Sequence, residues 1–306
     1  MSALARHVED YLRLRRALGF KLEREGQLLG QLVAYLQTAG VATLTSELAV
    51  AWAREPDGVQ PNHWAKRLGV ARRFALYVQT MDPATEVPPP GVFPARRYRP
   101  TPYLWSHSDI CGLLDGARAL RSPLRAATHE AFFGLLAASG MRVGEVVALQ
   151  RDDLDLDAGV ITVHEAKFDR PRLVPLHPTT AEALRRYAAE RDRLCPRPRS
   201  GAFFLSSTGT AIDRSGVGKT FRKITVEIGV RTATVHPRIH DLRHSFAVHT
   251  LIEWQRSNVD IDEHISTLST YLGHVSPAGT YWYLSASPEL MELAAERLHA
   301  RFGAAR

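Results

Sequence analysis

Several side chains in the carboxy-terminal half of the chain could together break a phosphate ester. His240 and Arg243 lie three residues apart, so on a helix they share one face and can reach the same anion. His274 follows a glycine, a residue type that often ends a helix, and Tyr283 lies a short distance further on. The stretch therefore offers a guanidinium, two imidazoles and a phenol. These groups suit cleavage of a phosphodiester bond without a metal ion.

The order and spacing of these residues resemble the motifs of the tyrosine recombinases, also called phage-type integrases. That family carries His-x-x-Arg, then Leu-Gly-His, then a nucleophilic tyrosine shortly after. In this chain the matching residues are His240 with Arg243, Leu272-Gly273-His274, and Tyr283. Three pieces in this order, joined to two pieces upstream, make the resemblance specific.

The two upstream pieces lie before and within a predicted β-hairpin. The run Ser139-Gly140-Met141-Arg142 followed by Glu145 resembles the family's Thr-Gly-x-Arg-x-x-Glu, with serine where threonine is usual. The resemblance identifies Arg142 as the first catalytic arginine and Glu145 as an acid that supports the hydrogen bonding of the site. Lys167 matches the family's hairpin lysine, although the glycines that usually flank it are absent.

The resemblance also implies a role for each catalytic group. Arg142 and Arg243 would hold the nonbridging phosphate oxygens, and His274 would add a hydrogen bond to them. His240 would accept the proton of the attacking tyrosine, and Lys167 would protonate the departing 5′ oxygen. The expected product is a 3′-phosphotyrosyl link with a free 5′ hydroxyl. Because the covalent link conserves the bond energy, no ATP, metal ion or other cofactor is expected.

Other residues in the same stretch offer alternative interpretations. Tyr281 is a rival nucleophile, but the family's distance from Leu-Gly-His favours Tyr283. His244 follows Arg243, as is usual in the family, and is interpreted as a supporting residue without a catalytic role. No pair among the remaining histidines has a metal-binding spacing with acidic partners, so no metal site is predicted.

The composition is that of a soluble globular protein with a basic balance. A chain of 306 residues with 45% hydrophobic and 23% charged residues can form two domains, and its formal charge of +7 favours a polyanionic partner. Cys111 and Cys195 have no disulfide or zinc spacing. The amino terminus lacks the apolar core of a signal peptide, and the longest apolar run is too short for a bilayer. We therefore expect a cytoplasmic protein that does not contact a membrane.

The amino-terminal third predicts a small helical bundle. Apolar residues recur at helical spacing, and capping residues precede several of the runs. The predicted helices cover residues 3–20, 24–38, 47–53 with Thr45 or Ser46 as its cap, and a fourth segment after Pro61. We assign residues 1–85 to this domain, which resembles in size and order the family's core-binding domain.

Basic residues on the fourth helix have two interpretations. Lys66, Arg67, Arg72 and Arg73 form an ordinary solvated helix face in the simpler one. In the other, the domain clamps one side of a double-stranded DNA, as it does in the family, and these residues contact phosphates and fix register.

The rest of the chain predicts a linker and a catalytic domain. Residues 86–102 are rich in proline and arginine and form the predicted linker, and residues 103–306 form the predicted catalytic domain. Residues 159–164 and 172–176 alternate in polarity and predict a β-hairpin. The expected fold is mainly α, with a helical-bundle core-binding domain and a mixed α+β catalytic domain containing a small antiparallel sheet. A final helix over 288–302 either closes its own domain or docks into a neighbouring protomer.

The sequence thus predicts a site-specific recombinase or integrase, including the transposase of a mobile element, acting on double-stranded DNA as a homotetramer on two sites. Two rivals share parts of this pattern. A type IB topoisomerase uses similar chemistry on one duplex, and a catalytically silent regulator would keep the fold and bind DNA without cutting it.

Overall fold

The computed structural model describes most of the chain. The described residues are 2–94, 101–164, 171–257, 259–274, 276, 278–284, 289–292, 295–296 and 299. The chain divides into two compact units, residues 1–99 and 100–306. Lys167, part of the predicted linker and most of the predicted helix over 288–302 lie outside the described residues. Among the helices that are described, none has the length and apolar character needed to cross a membrane.

The described part of the first unit is a bundle of four helices. They are α1 (Ala3–Ala17), α2 (Glu23–Thr38), α3 (Ser46–Arg54) and α4 (Pro61–Val78). The hydroxyls of Ser2 and Thr45 accept backbone hydrogen bonds at the starts of α1 and α3, where the first turn lacks partners of its own. The apolar faces of all four helices meet in one core that includes Leu29, Leu32, Trp52 and Phe74.

The four basic residues of α4 do not share one environment. Lys66 and Arg73 are exposed and lie seven residues apart, which places them two helical turns apart on one face. Arg72 is partly exposed and donates a hydrogen bond to the Pro88 carbonyl. Arg67 is only 5% exposed.

Arg67 is a core residue of the first unit. Its guanidinium lies over the Trp52 ring, with 4.0 Å to the ring centroid. Nη2 donates to the Trp52 carbonyl over 2.9 Å, and Nη1 donates to Gln31 Oε1 over 3.2 Å. A helical pattern cannot separate such a buried arginine from its exposed neighbours, and its placement favours a structural role over phosphate contact.

The second unit contains the remaining elements of the described chain. Its helices are α5 (His107–Arg118), α6 (Pro123–Ser139), α7 (Val143–Ala148), α8 (Pro178–Leu194), α9 (Arg214–Glu227), α10 (Asp241–Arg256), α11 (Ile261–Leu272) and α12 (Ala278–Leu284). A single 3-10 turn, Arg151–Asp153, precedes the strands β1 (Leu154–Asp155), β2 (Val160–Val163) and β3 (Arg172–Pro175).

The described strands form an antiparallel sheet in the order β1-β2-β3. Ile161 pairs with Leu154 on one side and Val174 on the other, and all three approach the core. Since alternate residues of a strand share a face, Arg172 points to the same side as Val174, and Leu173 is left exposed. The predicted mainly α fold with a small antiparallel sheet is confirmed.

The core of the second unit forms around α6, which packs against α5, α8 and α10. Aromatic rings fill much of this core, among them Trp105, Phe132, Phe133, Phe204 and Phe221. A smaller apolar cluster lies among α10, α11 and α12 and includes Leu251, Leu268, Leu272 and Tyr283. The residues that could carry chemistry lie where these two clusters meet.

Replacement of Arg67 by alanine should destabilise the first unit. R67A removes the contact with the Trp52 ring and leaves a buried carbonyl without its donor, so we expect a loss of about 2–4 kcal/mol in the free energy of unfolding. R73A, at an exposed position of the same helix, should change it by less than about 0.5 kcal/mol. Calorimetric unfolding of the full chain measures both. Equal effects of the two variants would contradict a core role for Arg67.

Candidate active site

Arg243 occupies the centre of the candidate site. It lies in the first turn of α10 and is 2% exposed. Its Nη1 donates to the Gly140 carbonyl over 2.8 Å, and its Nη2 donates to the Leu272 carbonyl over 2.7 Å. These carbonyls stand at the carboxyl ends of α6 and α11, where helices have acceptors without partners in the helix. One buried cation therefore joins three helices.

Gly140 lets α6 end close to α10. Its φ of +60° is left-handed, a conformation that side chains disfavour. A Cβ at this position would lie 2.5 Å from Cδ1 of Phe246 on α10. The preceding residue, Ser139, supports the same turn, because its hydroxyl donates to the Leu135 carbonyl and accepts from the Met141 amide.

Arg142 caps the start of α7 through Glu145. The Glu145 carboxylate accepts the Arg142 backbone amide over 2.8 Å and its Nη1 over 2.6 Å. Nη2 of Arg142 donates to the Gly273 carbonyl. The side chain remains 38% exposed, so it can meet a ligand as well as these partners. Burial alone would raise the pKa of Glu145, but hydrogen bonds from Arg172 and Arg142 lower it below its ordinary value.

His274 enters the site because α11 ends at Leu272 and the chain turns at the next residue. Gly273 adopts a left-handed φ of +65° as the cap of α11 and turns the chain. The His274 Nδ1 lies 2.7 Å from Oγ1 of Thr280, a fully buried hydroxyl on α12. Burial, followed by the charge of Arg243, lowers the pKa of His274 to about 4. The ring is therefore neutral at physiological pH, and Nδ1 is held by the threonine.

Tyr283 and Tyr281 lie on opposite sides of α12. Tyr283 is 2% exposed, whereas Tyr281 is 47% exposed. The Tyr283 ring stacks on His274, with 6.0 Å between centroids, and lies 5.4 Å from the His244 ring. Burial lowers the pKa of Arg243, and its interaction with the neighbouring Tyr283 side chain opposes that shift. Tyr283 is the tyrosine of this pair that faces the arginine.

Two histidines at the start of α10 are kept neutral, and one of them, His244, contacts the Tyr283 ring. His240 precedes α10, and its ring lies 4.8 Å from that of His244. Desolvation lowers the pKa of His240 below 6.5, and the charge of Arg243 adds to the effect. The pKa of His244 falls to about 4, again chiefly through burial. A neutral imidazole can accept a proton, so the arrangement contains bases close to the phenol.

The start of α10 is fixed by a second ion pair. Asp241 is 1% exposed, and its carboxylate accepts the backbone amide of Arg238 over 2.8 Å and its guanidinium over 2.6 Å. Because Asp241 lies between His240 and Arg243 in sequence, this pair holds the turn that presents both.

The predicted site residues that the structure describes converge on the carboxyl end of α11. These are Arg142, Glu145, His240, Arg243, His274 and Tyr283. Sequence reasoning overlooked Thr280 and Arg172, which contact His274 and Glu145 respectively. A usable signal existed for Arg172, since it alternates with the buried Val174 and so belongs to the inner face of β3.

Two guanidiniums and an imidazole near one phenol can stabilise a phosphate ester under attack. Guanidinium groups neutralise nonbridging oxygens with planar pairs of donors, and a neutral imidazole can donate one further hydrogen bond. The nearby neutral histidines can take the phenol's proton. The arrangement therefore suits phosphoryl transfer to a tyrosine.

Comparison with known proteins agrees with this geometry. The model of the phage integrase family matches residues 109–289, and y4rB of Sinorhizobium fredii is 42% identical over 99% of both chains. The chain belongs to the phage integrase family. A further relative, the tyrosine recombinase XerC of Azotobacter vinelandii, is 30% identical over 78% of this chain and 74% of its own. The predicted family and the predicted enzyme class, a tyrosine-type site-specific recombinase, are confirmed.

Solved structures of the family share the fold. A Tn1549 transposon integrase aligns over 97% of this chain and 100% of its own, with a TM-score of 0.67 and 15% identity. The XerH recombinase aligns over 88% of this chain and 77% of its own, with a TM-score of 0.63 and 18% identity.

Substitution of Gly140 should disturb the junction between α6, α10 and α11. G140A forces a left-handed residue with a side chain against Phe246, so we expect a loss of about 2–3 kcal/mol in unfolding free energy. G134A is the matched control within α6, because its Cβ would lie 3.9 Å from the nearest side-chain atom. That variant should gain about 0.5–1 kcal/mol. Thermal unfolding of both variants tests this, and a stable G140A would refute the steric argument.

Proposed function

We propose that this enzyme cuts and rejoins double-stranded DNA through a 3′-phosphotyrosyl intermediate formed by Tyr283. The observation that carries the proposal is the meeting of Arg142, Arg243 and His274 around the Tyr283 ring at the end of α11. Each group comes from a different stretch of sequence, yet all four lie within one protomer.

Structures of family members support double-stranded DNA as the substrate. XerH is described as bound to a palindromic difH substrate in a post-cleavage complex, and lambda integrase as a dimer bound to a COC′ core site. The Tn1549 integrase is described in complex with circular intermediate DNA of a transposon. The formal charge of +7 suits such a partner. We assign this chain to the same substrate class, with movement of a mobile element as one use of the reaction.

In the proposed reaction the Tyr283 oxygen attacks the phosphorus and the bond to the 5′ oxygen breaks. Arg142 and Arg243 neutralise the nonbridging oxygens, and His274 donates a hydrogen bond to them. His240 takes the phenol's proton. The 5′ oxygen receives a proton from Lys167, a role implied by the family alone because this residue lies outside the described part of the chain. A 5′ hydroxyl of another strand then reverses these steps.

This route requires no metal ion and no ATP. The two guanidiniums supply the positive charge that a metal would otherwise provide, and the phosphotyrosyl bond retains the energy of the broken phosphodiester.

The Tyr283 hydroxyl must become accessible before it can react. Tyr283 and Arg243 are each 2% exposed, so neither can touch a phosphate of a DNA duplex in this arrangement. Arg142, which is 38% exposed, marks the side from which the phosphate approaches. We infer that DNA binding shifts the short helix α12 relative to α10 and α11.

The first unit is proposed to clamp the duplex, with Lys66 and Arg73 as its phosphate contacts. Both are exposed on one face of α4, and Arg24 of α2 lines the same groove beside them. Arg72 remains a weaker candidate, and Arg67 is left out because it is buried. The proposed assembly is a homotetramer on two DNA sites, held through residues 288–302.

The proposal can be tested with a nicked DNA substrate that traps the covalent intermediate. Wild-type protein should form a DNA adduct, Y283F should form none, and Y281F should retain it, because Tyr283 faces Arg243 and Tyr281 is exposed on the opposite side of α12. Mapping the joined nucleotide should locate a 3′ phosphate. DNA binding without an adduct in the wild type would refute the proposal and favour a silent regulator. Relaxation of plasmids without strand exchange would favour a type IB topoisomerase.

The rate of adduct formation should depend on pH through His240. A base must be neutral, and its environment lowers the pKa of His240 below 6.5, so the neutral form persists to a lower pH than for an ordinary histidine. The rate should fall as the pH drops, with a midpoint below pH 6.5, and continue to fall toward pH 4, where His244 and His274 also protonate. A midpoint at or above pH 6.5, measured in single turnovers, would count against His240 as the base.

A further inference from the structure

Arg172 is a largely buried cation next to the site, and no role was assigned to it from the sequence. It begins β3 and faces inward with Val174, and its side chain is 10% exposed. Nη2 lies 3.0 Å from Glu145 Oε2, and Nη1 lies 3.4 Å from Oε1. The guanidinium and the carboxylate therefore form a bidentate pair, in which each terminal nitrogen faces one oxygen. This is the geometry in which arginine and carboxylate interact most strongly.

The same carboxylate also holds Arg142. Glu145 Oε1 accepts from Arg142 Nη1 over 2.6 Å, and Oε2 accepts from the Arg142 backbone amide over 2.8 Å. Glu145 is 12% exposed, so its charge is poorly screened by water. The carboxylate thus stands between an arginine that can reach a phosphate and one that belongs to the sheet.

Because Glu145 pairs with both arginines, it neutralises less of the positive charge that Arg142 can present to a phosphate. A glutamate that interacts with a single arginine draws that guanidinium onto itself and cancels its field. A second guanidinium on the other side competes for the same oxygens. Arg142 is then oriented by Glu145 and still attracts an anion.

We propose that Arg172 is a positioning residue for DNA cleavage, which acts through Glu145 to orient Arg142 and to keep its charge available to the scissile phosphate. This inference rests on the proposed function. It assigns Arg172 no contact with DNA.

The arrangement also ties the hairpin to the phosphate site. β3 pairs with β2 through Val163 opposite Arg172 and Ile161 opposite Val174. Any shift of this hairpin relative to α7 would pull on Glu145 and then on Arg142. The paired strands β2 and β3 and the phosphate-binding arginine are therefore held in a fixed relation.

A double-mutant cycle measured by adduct formation tests the proposal. R172M should slow the single-turnover rate of adduct formation by about 10- to 100-fold, with DNA affinity nearly unchanged. E145Q keeps the acceptor for the Arg142 amide and removes the charge. In the E145Q background, R172M should cost less than about threefold, because Arg172 and Arg142 then no longer compete for the charge of Glu145.

The matched control is a second two-bond arginine–glutamate pair of the same unit. On the surface of α8, Arg193 Nε lies 2.8 Å from Glu190 Oε2 and Nη2 lies 2.6 Å from Oε1. R193M and E190Q should leave the rate of adduct formation unchanged. R172Q, which is uncharged but polar, replaces R172M if the methionine variant does not fold.

The outcomes separate the inference from the proposed function. If the wild type forms no adduct, the proposed function itself fails. If Y283F abolishes the adduct but R172M matches the wild type, only the role of Arg172 is overturned. Equal losses from R172M with and without E145Q would also overturn it, since Arg172 would then act independently of Glu145. Failure of both R172M and R172Q to fold would make Arg172 a structural residue and refute the proposal.

Discussion

The hydrogen bonds of the buried Arg243 guanidinium organise the second unit. Two of its nitrogens satisfy the carbonyls of Gly140 and Leu272, so a charge that would be costly to bury becomes the connection between α6, α10 and α11. Arg142 likewise donates a hydrogen bond to the carbonyl of Gly273, the residue that follows Leu272. The last carbonyls of a helix lack hydrogen-bond donors within that helix. The two arginines supply donors to the carbonyls at the ends of α6 and α11, and this brings the catalytic candidates together.

Much of this arrangement could be predicted from sequence, because local rules and the family motifs agree. Apolar spacing and caps predicted the four helices of the first unit close to their observed bounds. Gly273 was predicted to end a helix and does end α11, in a left-handed conformation that Gly140 also adopts at the end of α6. The hairpin was predicted as well, although the two-residue strand β1 is too short to produce a recognisable pattern. The roles of the site residues and the domain boundaries stay predictions.

Two arginines owe their burial to partners that are distant in sequence. Arg67 lies, like the exposed Arg73 of the same helix, between a basic and an apolar residue. Its contact with Trp52, which lies on another helix, makes it a core residue. On β3 the charged side chain of Arg172 faces inward and the apolar side chain of Leu173 is exposed, the opposite of the usual arrangement. Arg172 can face inward because it pairs there with Glu145. In both cases a tertiary partner, distant in sequence, decides the burial.

Arg243 is both a proposed catalytic residue and a structural link between helices, and this affects how sequences of inactive relatives should be interpreted. A gene copy under relaxed selection can lose the Tyr283 hydroxyl and still encode a folded protein, since a phenylalanine ring would fill the same space. A copy that loses Arg243 also loses the link among three helices. Arginine at this position should therefore outlast enzymatic activity during gene decay, so its retention in a homologue is poor evidence that the homologue still cuts DNA.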